Sequence, residues 1–118
     1  MKVTERQDGD FAILDMEGRF DFGARRDFKE AVDRVQNAGS RYIVLNMQDI
    51  AFVDSSALGL LVVAHQNLKL KEGRIGLVNP QPYVRQILDL ANVPRMIPVF
   101  NTVDEAKAGM TDQAALTS

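Results

Sequence analysis

Apolar and polar positions along this chain change period several times, and each change marks an element. Residues 2–7 alternate weakly, as an edge strand does, and Asp8-Gly9-Asp10 supplies a turn. Phe11-Ala12-Ile13-Leu14-Asp15-Met16 reads as a second strand, ended by Glu17-Gly18, so the chain is expected to open with a β-hairpin. Over residues 23–39 the period becomes helical. Ala24, Phe28, Ala31, Val32 and Val35 fall on one stripe, Arg25, Arg26, Lys29, Asp33 and Arg34 lie mostly off it, and Gly39 is a C-terminal stop.

Tyr42-Ile43-Val44-Leu45 is a continuous apolar run without alternation, the pattern of a strand buried on both faces in a parallel sheet. Residues 46–53 read as a connection with Ile50, Phe52 and Val53 turned inward. A helix over residues 55–71 follows. Its first half is apolar nearly all round, which predicts near-complete burial, and Glu72-Gly73 closes it. Ile75-Gly76-Leu77-Val78 is a further buried strand. Pro80 and Pro82 mark the start of a short amphipathic helix bearing Val84, Ile87, Leu88 and Ala91. Residues 96–100 form a last strand, placed at an edge by Pro98. Thr102 and Glu105 have the spacing of a capping box for a terminal helix reaching Met110 or Leu116, with residues 113–118 as a frayed tail. The order β-β-α-β-α-β-α-β-α predicts one α/β domain over residues 1–112, a mixed and mostly parallel sheet with about four helices.

Composition narrows the function. The chain has 118 residues, enough for one core. A net charge of −2 gives no electrostatic argument for nucleic acid or an acidic membrane. With no cysteine and His65 as the sole histidine, disulfides, thiolate chemistry and a Cys- or His-rich metal site are excluded. The first eight residues hold no apolar stretch, so no secretory signal is expected. The longest apolar run, residues 57–64, is far short of the roughly 20 residues that cross a bilayer. The expectation is a cytoplasmic monomer that neither binds nucleic acid nor inserts in a membrane.

The segment with chemistry in it is Asp54-Ser55-Ser56, set between a buried segment and a very apolar helix. Such a tripeptide starts a helix, and its plainest role is capping. The first N–H groups of a helix lack internal partners and carry partial positive charge, so a phosphate there finds donors. A phosphoserine would add about −1.5 to −2 charges to one surface spot. On an apolar contact surface that charge releases a bound protein without altering the fold.

Asp54-Ser55-Ser56-Ala57-Leu58-Gly59, preceded by Ile50-Ala51-Phe52-Val53, resembles the Asp-Ser-Ser/Thr-Gly-Leu-Gly signature of anti-sigma factor antagonists of the STAS family. Tyr42-Ile43-Val44-Leu45-Asn46-Met47-Gln48-Asp49 is similar to the family's preceding strand, and Gly18-Arg19-Phe20-Asp21 to its Gly-x-x-Asp turn. The resemblance covers roughly residues 2–112. It implies a small α/β fold and a binding protein without catalytic activity or cofactor of its own. Ser55 is then the residue phosphorylated by a partner that is both serine kinase of the histidine-kinase-like (GHKL) type and anti-sigma factor. That kinase would supply ATP and magnesium, and a separate phosphatase would reset the serine. Asp54, Ser56, Ala57 and Asp21 would lie at the partner surface, with Ala57 departing from the family's usual glycine. The alternative within the same fold is a module serving a membrane transporter or a sensory complex without a phosphorylation cycle.

Other candidates are weaker. Gly18-Arg19-Phe20-Asp21-Phe22-Gly23 lacks the Gly-Lys-Ser/Thr of a phosphate-binding loop, so a nucleotide-binding protein or weak nucleotide hydrolase is a third reading, which a nucleotide titration without saturable binding would remove. Of Phe20 and Phe22, one is expected in the core and the other, assigned as Phe22, on the partner surface as an anchor. His65 lies about 15 Å along the helix from Ser55, too far for a serine hydrolase. Arg25-Arg26 and Lys69-Leu70-Lys71 read as solvated helix faces with local ion pairs. Phe28, Met96 and Phe100 read as core.

Overall fold

The hairpin predicted at the start is present and longer than its pattern. A computed structural model describes residues 1–117, with side chains described as far as Thr111. Strand β1 (Lys2–Asp8) pairs antiparallel with β2 (Phe11–Phe20) around Gly9. Glu17-Gly18 does not end β2. Gly18 takes φ +107°, and the pairing register shifts on either side of it, so the strand absorbs an irregularity and runs on to Phe20.

Strand β3 (Tyr42–Val53) is likewise a single element where the pattern suggested a strand and a connection. It lies between β2 and β4 (Arg74–Val78), parallel to both, and β5 (Val99–Phe100) adds a short parallel edge. The sheet order is β1-β2-β3-β4-β5. Ile50 and Val53 turn inward as expected, but Phe52 points to the other face and is only half-buried. The last strand is shorter than predicted. Pro98 contributes its carbonyl to the Leu77 N–H instead, Ile97 plugs the core, and Met96, expected in the core, is exposed.

Helix α1 (Arg25–Asn37) follows a 3₁₀ turn over Phe22–Ala24 and buries Phe28, Ala31, Val32 and Val35, its predicted stripe. Its end is a Schellman motif. Gly39 holds φ +97°, its N–H reaches the Gln36 carbonyl, and the Ser40 N–H reaches that of Val35. Helix α2 (Ser55–Leu70) ends the same way, with the Glu72 N–H on Lys69 and the Gly73 N–H on Leu68. Here the left-handed position falls on Glu72, φ +62°. Gly73 is needed for another reason: a Cβ there would come within 2.9 Å of the Leu68 side chain and 3.0 Å of the Arg41 carbonyl. Helix α3 (Pro82–Leu90) begins on its proline and buries Val84 and Leu88.

These three helices cover one face of the sheet, where Leu14, Phe20, Ile43, Leu45, Ile50, Leu61, Leu68 and Leu77 form the main core. Helix α4 (Val103–Thr117) covers the other, its Ala106 and Met110 packed on Ile13, Tyr42, Val44 and Val78. The predicted capping box is seen in part. The Glu105 N–H donates to Thr102 Oγ1 at 3.1 Å, while the Glu105 carboxylate accepts from the Asn101 N–H rather than from that of Thr102. The frayed tail expected over residues 113–118 lies, for its side chains and for Ser118 altogether, outside the described residues.

Candidate functional site

Parallel β2 and β3 both end at the same edge of the sheet, and their last residues are tied together. Phe20 pairs with Val53, and the Asp54 N–H donates to the Phe20 carbonyl at 3.3 Å. Because parallel strands demand crossover helices, α1 and α2 both start at this edge. The topology therefore sets the turn at Asp21 beside the start of α2 at Ser55, two segments far apart in sequence.

Each turn is built on an aspartate. Asp21 caps the 3₁₀ turn, its Oδ1 accepting the Gly23 N–H at 3.0 Å, while Arg19 Nε sits 3.5 Å from its Oδ2. Asp54 is the N-cap of α2, its Oδ1 accepting the Ala57 N–H at 3.0 Å. The capping role that Asp-Ser-Ser invited thus belongs to the aspartate. Ser55 is the first helical residue and is exposed, and among the described residues no group is hydrogen-bonded to its hydroxyl. Ser56 is half-buried. The backbone N–H groups of Ser55 and Ser56 belong to the first turn, where donors point outward.

Ala57 is a correction. It is fully buried, its methyl in the main core. A core alanine at this point fills space that a glycine would leave empty, so Ala57 supports the helix start from beneath and offers no surface to a partner, contrary to the expectation. The first half of α2 is also less buried than its composition predicts. Ala57, Leu61, Ala64 and Leu68 face the core, whereas Leu58, Leu60 and Val62 are half-buried and Gly59 and Val63 are exposed.

Phe20 and Phe22 divide as expected. Phe20 is buried, its ring 5.0 Å from that of Phe28, and Phe22 is 60% exposed. Around Phe22 the structure adds residues that sequence reasoning missed. The Arg25 guanidinium lies 4.0 Å over the Phe22 ring and donates to the Phe22 carbonyl, so Arg25 stacks on an aromatic ring where a local ion pair was expected. Arg19 lies 4.1 Å over the Phe52 ring. Tyr83 of α3 donates its phenol O–H to the Ala51 carbonyl and Gln81 donates to that of Gln48, which holds the end of β3 in place ahead of Ser55. Nothing in the spacing signals Arg19 on Phe52 or Tyr83 on Ala51, because both depend on strand and helix registers.

Among the described residues, no acid or base is hydrogen-bonded to Ser55, and no group of three His, Cys, Asp or Glu residues that could hold a metal ion forms. His65 is half-buried, ten residues along α2 from Ser55. Burial first, then the charges of Lys69 and Arg74, push its imidazole below the usual histidine range. The Asp15 carboxyl is pushed up by burial, but hydrogen bonds from Arg6 and Asn46 and the Arg6 charge outweigh that and hold it low. This cluster sits on β1, β2 and β3, away from Ser55. Grooves among the described residues lie elsewhere. One, between α1 and α2 beside Phe28, Val32, Leu60 and Val63, has room for only about 80 Å³, and another lies near Gly39, Arg41 and Gly73, where α1 and α2 end. Neither touches Ser55, Asp54 or Asp21.

Fold and site together define a small α/β domain with an exposed serine at a helix start. Residues 2–106 match the STAS domain, and the chain belongs to that family. A STAS-domain containing protein of Pseudomonas aeruginosa is 36% identical over 92 residues, 78% of this chain and 90% of that protein. The anti-sigma F factor antagonist of Paenibacillus polymyxa is 27% identical over 77 residues, 65% of this chain and 63% of that one. Among solved structures, the anti-sigma factor antagonist SpoIIAA in its unphosphorylated form superposes with a TM-score of 0.78 over 94% of this chain and 97% of its own, at 21% identity. A sulfate transporter family protein from Wolinella succinogenes does so with a TM-score of 0.74 over 92% of this chain and 88% of its own, at 18% identity. The fold is shared by both of these structures. Among the described residues, no helix is long and apolar enough to cross a membrane.

Proposed function

We propose that this protein is an anti-sigma factor antagonist that works by partner switching. Unphosphorylated, it binds a GHKL-type serine kinase that is also the anti-sigma factor; phosphorylated on Ser55, it lets go, and a phosphatase resets it. It acts as a cytoplasmic monomer, a kinase substrate with no catalysis of its own. The observation that carries this reading is the position of Ser55, exposed at the first residue of α2 with its capping work done by Asp54. A phosphate there meets the free N–H groups and positive end of α2, so the fold tolerates it. The same phosphate places about two negative charges beside Asp54 and Asp21 on the surface a partner would cover, which disfavours any partner that offers carboxylates or apolar groups there. Asp54, Ser56, Asp21 and Phe22 frame that surface.

Intact-mass and phosphopeptide analysis of the protein isolated from its own cells under two growth conditions tests the reading. A single phosphate on Ser55 that varies with condition and disappears in Ser55→Ala is the expected result. No phosphate under either condition, with Ser55→Ala indistinguishable from wild type, overturns the switch and leaves a module that scaffolds a larger complex.

A further inference from the structure

The chain has eight glycines, and seven have a reason within the fold. Gly9, Gly18 and Gly39 hold positive φ. A Cβ at Gly73, Gly76 or Gly109 would come within 3.0 Å of packed neighbours, and at Gly23 it would meet Asp21 Oδ1 at 3.3 Å. Gly59 has neither reason. It lies inside α2 with a φ outside the left-handed region, and a Cβ there would meet nothing within 4 Å. Glycine inside a helix is less stable than alanine, so this fold alone favours a side chain at position 59.

The reason therefore lies outside the chain, and the position of Gly59 says where. It is four residues after Ser55, so the two share one face of α2, about 6 Å apart along the axis. Val63, four residues further on, is 53% exposed on the same face. A kinase that delivers phosphate to Ser55 must cover this face. We propose that Gly59 is the point of closest approach between α2 and that kinase, whose backbone packs directly on the bare helix there. The inference rests on the proposed phosphorylation of Ser55.

The test replaces Gly59 by Ala and by Leu in the protein's own cells. It follows the rate at which phosphate appears on Ser55 after the shift between growth conditions, beside the melting temperature of each purified variant. Asp104→Leu, at an exposed position of α4 on the other side of the sheet, controls for an added apolar side chain. The expected result is a melting temperature for Gly59→Ala at or above wild type, a several-fold slower appearance of phosphate in Gly59→Ala, none in Gly59→Leu, and an unchanged rate in Asp104→Leu. Equal rates in all four proteins overturn the role of Gly59 and leave the switch intact. A slower rate that tracks a lowered melting temperature assigns Gly59 to folding and also overturns the proposal. A wild type that never carries phosphate sinks the switch and this inference together.

Discussion

Asp54 Oδ1 accepts the Ala57 N–H at 3.0 Å, and that one bond fixes where α2 begins and leaves the intervening Ser55 facing solvent. Asp54→Ala removes the cap and orphans a first-turn donor, which costs about 1 kcal/mol of stability. Asp54→Asn keeps an acceptor oxygen at the same point and stays within a few tenths of a kcal/mol. Urea denaturation of the three proteins checks this. If Ala and Asn lose equally, the charge of Asp54 matters more than its hydrogen bond.

Glu72 closes α2 in a left-handed conformation, φ +62°, that glycine adopts with less strain. Glu72→Gly is expected to raise stability by roughly 0.5–1 kcal/mol, the relief of αL strain less the extra entropy of glycine in the unfolded chain. The neighbouring Gly73→Ala is expected to lower it, because the new methyl meets the Arg41 carbonyl and the Leu68 side chain. Opposite signs at adjacent positions would be seen directly in thermal melts. Two losses would mean that the Glu72 side chain contributes more than its backbone strain takes away.

The pair Glu72-Gly73 also shows how far the sequence could be read. It marked the end of α2 correctly, yet the conformational burden falls on the glutamate and the packing burden on the glycine, which no local pattern distinguishes. The alternation of elements and the helical stripe of α1 were legible because they follow from periodicity. The full lengths of β2 and β3 were not, since Gly18 and Asn46 are turn-like residues that strand pairing overrides. At the candidate site, the placement of Asp54 and Ser55 at a helix start was legible from the local motif, and the turn at Asp21 from the resemblance. Gly59, Arg19 on Phe52 and Tyr83 on Ala51 needed three-dimensional placement, as did the burial of Ala57.

His65 gives a pH dependence whose sign follows from its surroundings. Burial, then Lys69 and Arg74, lower its pKa below the unfolded value near 6.5. The unfolded chain therefore binds the proton more readily than the folded one. The resulting stability is fully present above about pH 6.5 and is lost as pH falls through the folded value. Asp15, also lowered, adds a similar loss only once pH drops below about 4, through its own folded value. Urea midpoints at pH 7.5 and pH 5 should fall further for wild type than for His65→Gln. Equal falls would show that His65 is free to protonate in the folded state.

Phe20 and Phe22 stand on either side of Asp21 and predict opposite phenotypes. Phe20 is fully buried against Phe28 in the main core, so Phe20→Ala empties a ring-sized space and costs about 3–5 kcal/mol. Phe22 is 60% exposed, and its described ring contact is the Arg25 stack, so Phe22→Ala costs no more than about 1 kcal/mol. Large aromatic side chains often anchor a partner by filling a pocket on it, and under the proposed function Phe22 stands on the surface that the kinase covers. Phe22→Ala should then weaken binding to the proposed kinase by roughly tenfold or more, about 1.4 kcal/mol, while leaving the fold intact. Titration calorimetry of the two proteins, beside circular dichroism of the variant alone, separates the effects. Unchanged affinity would remove Phe22 from the partner surface and confine recognition to the exposed face of α2.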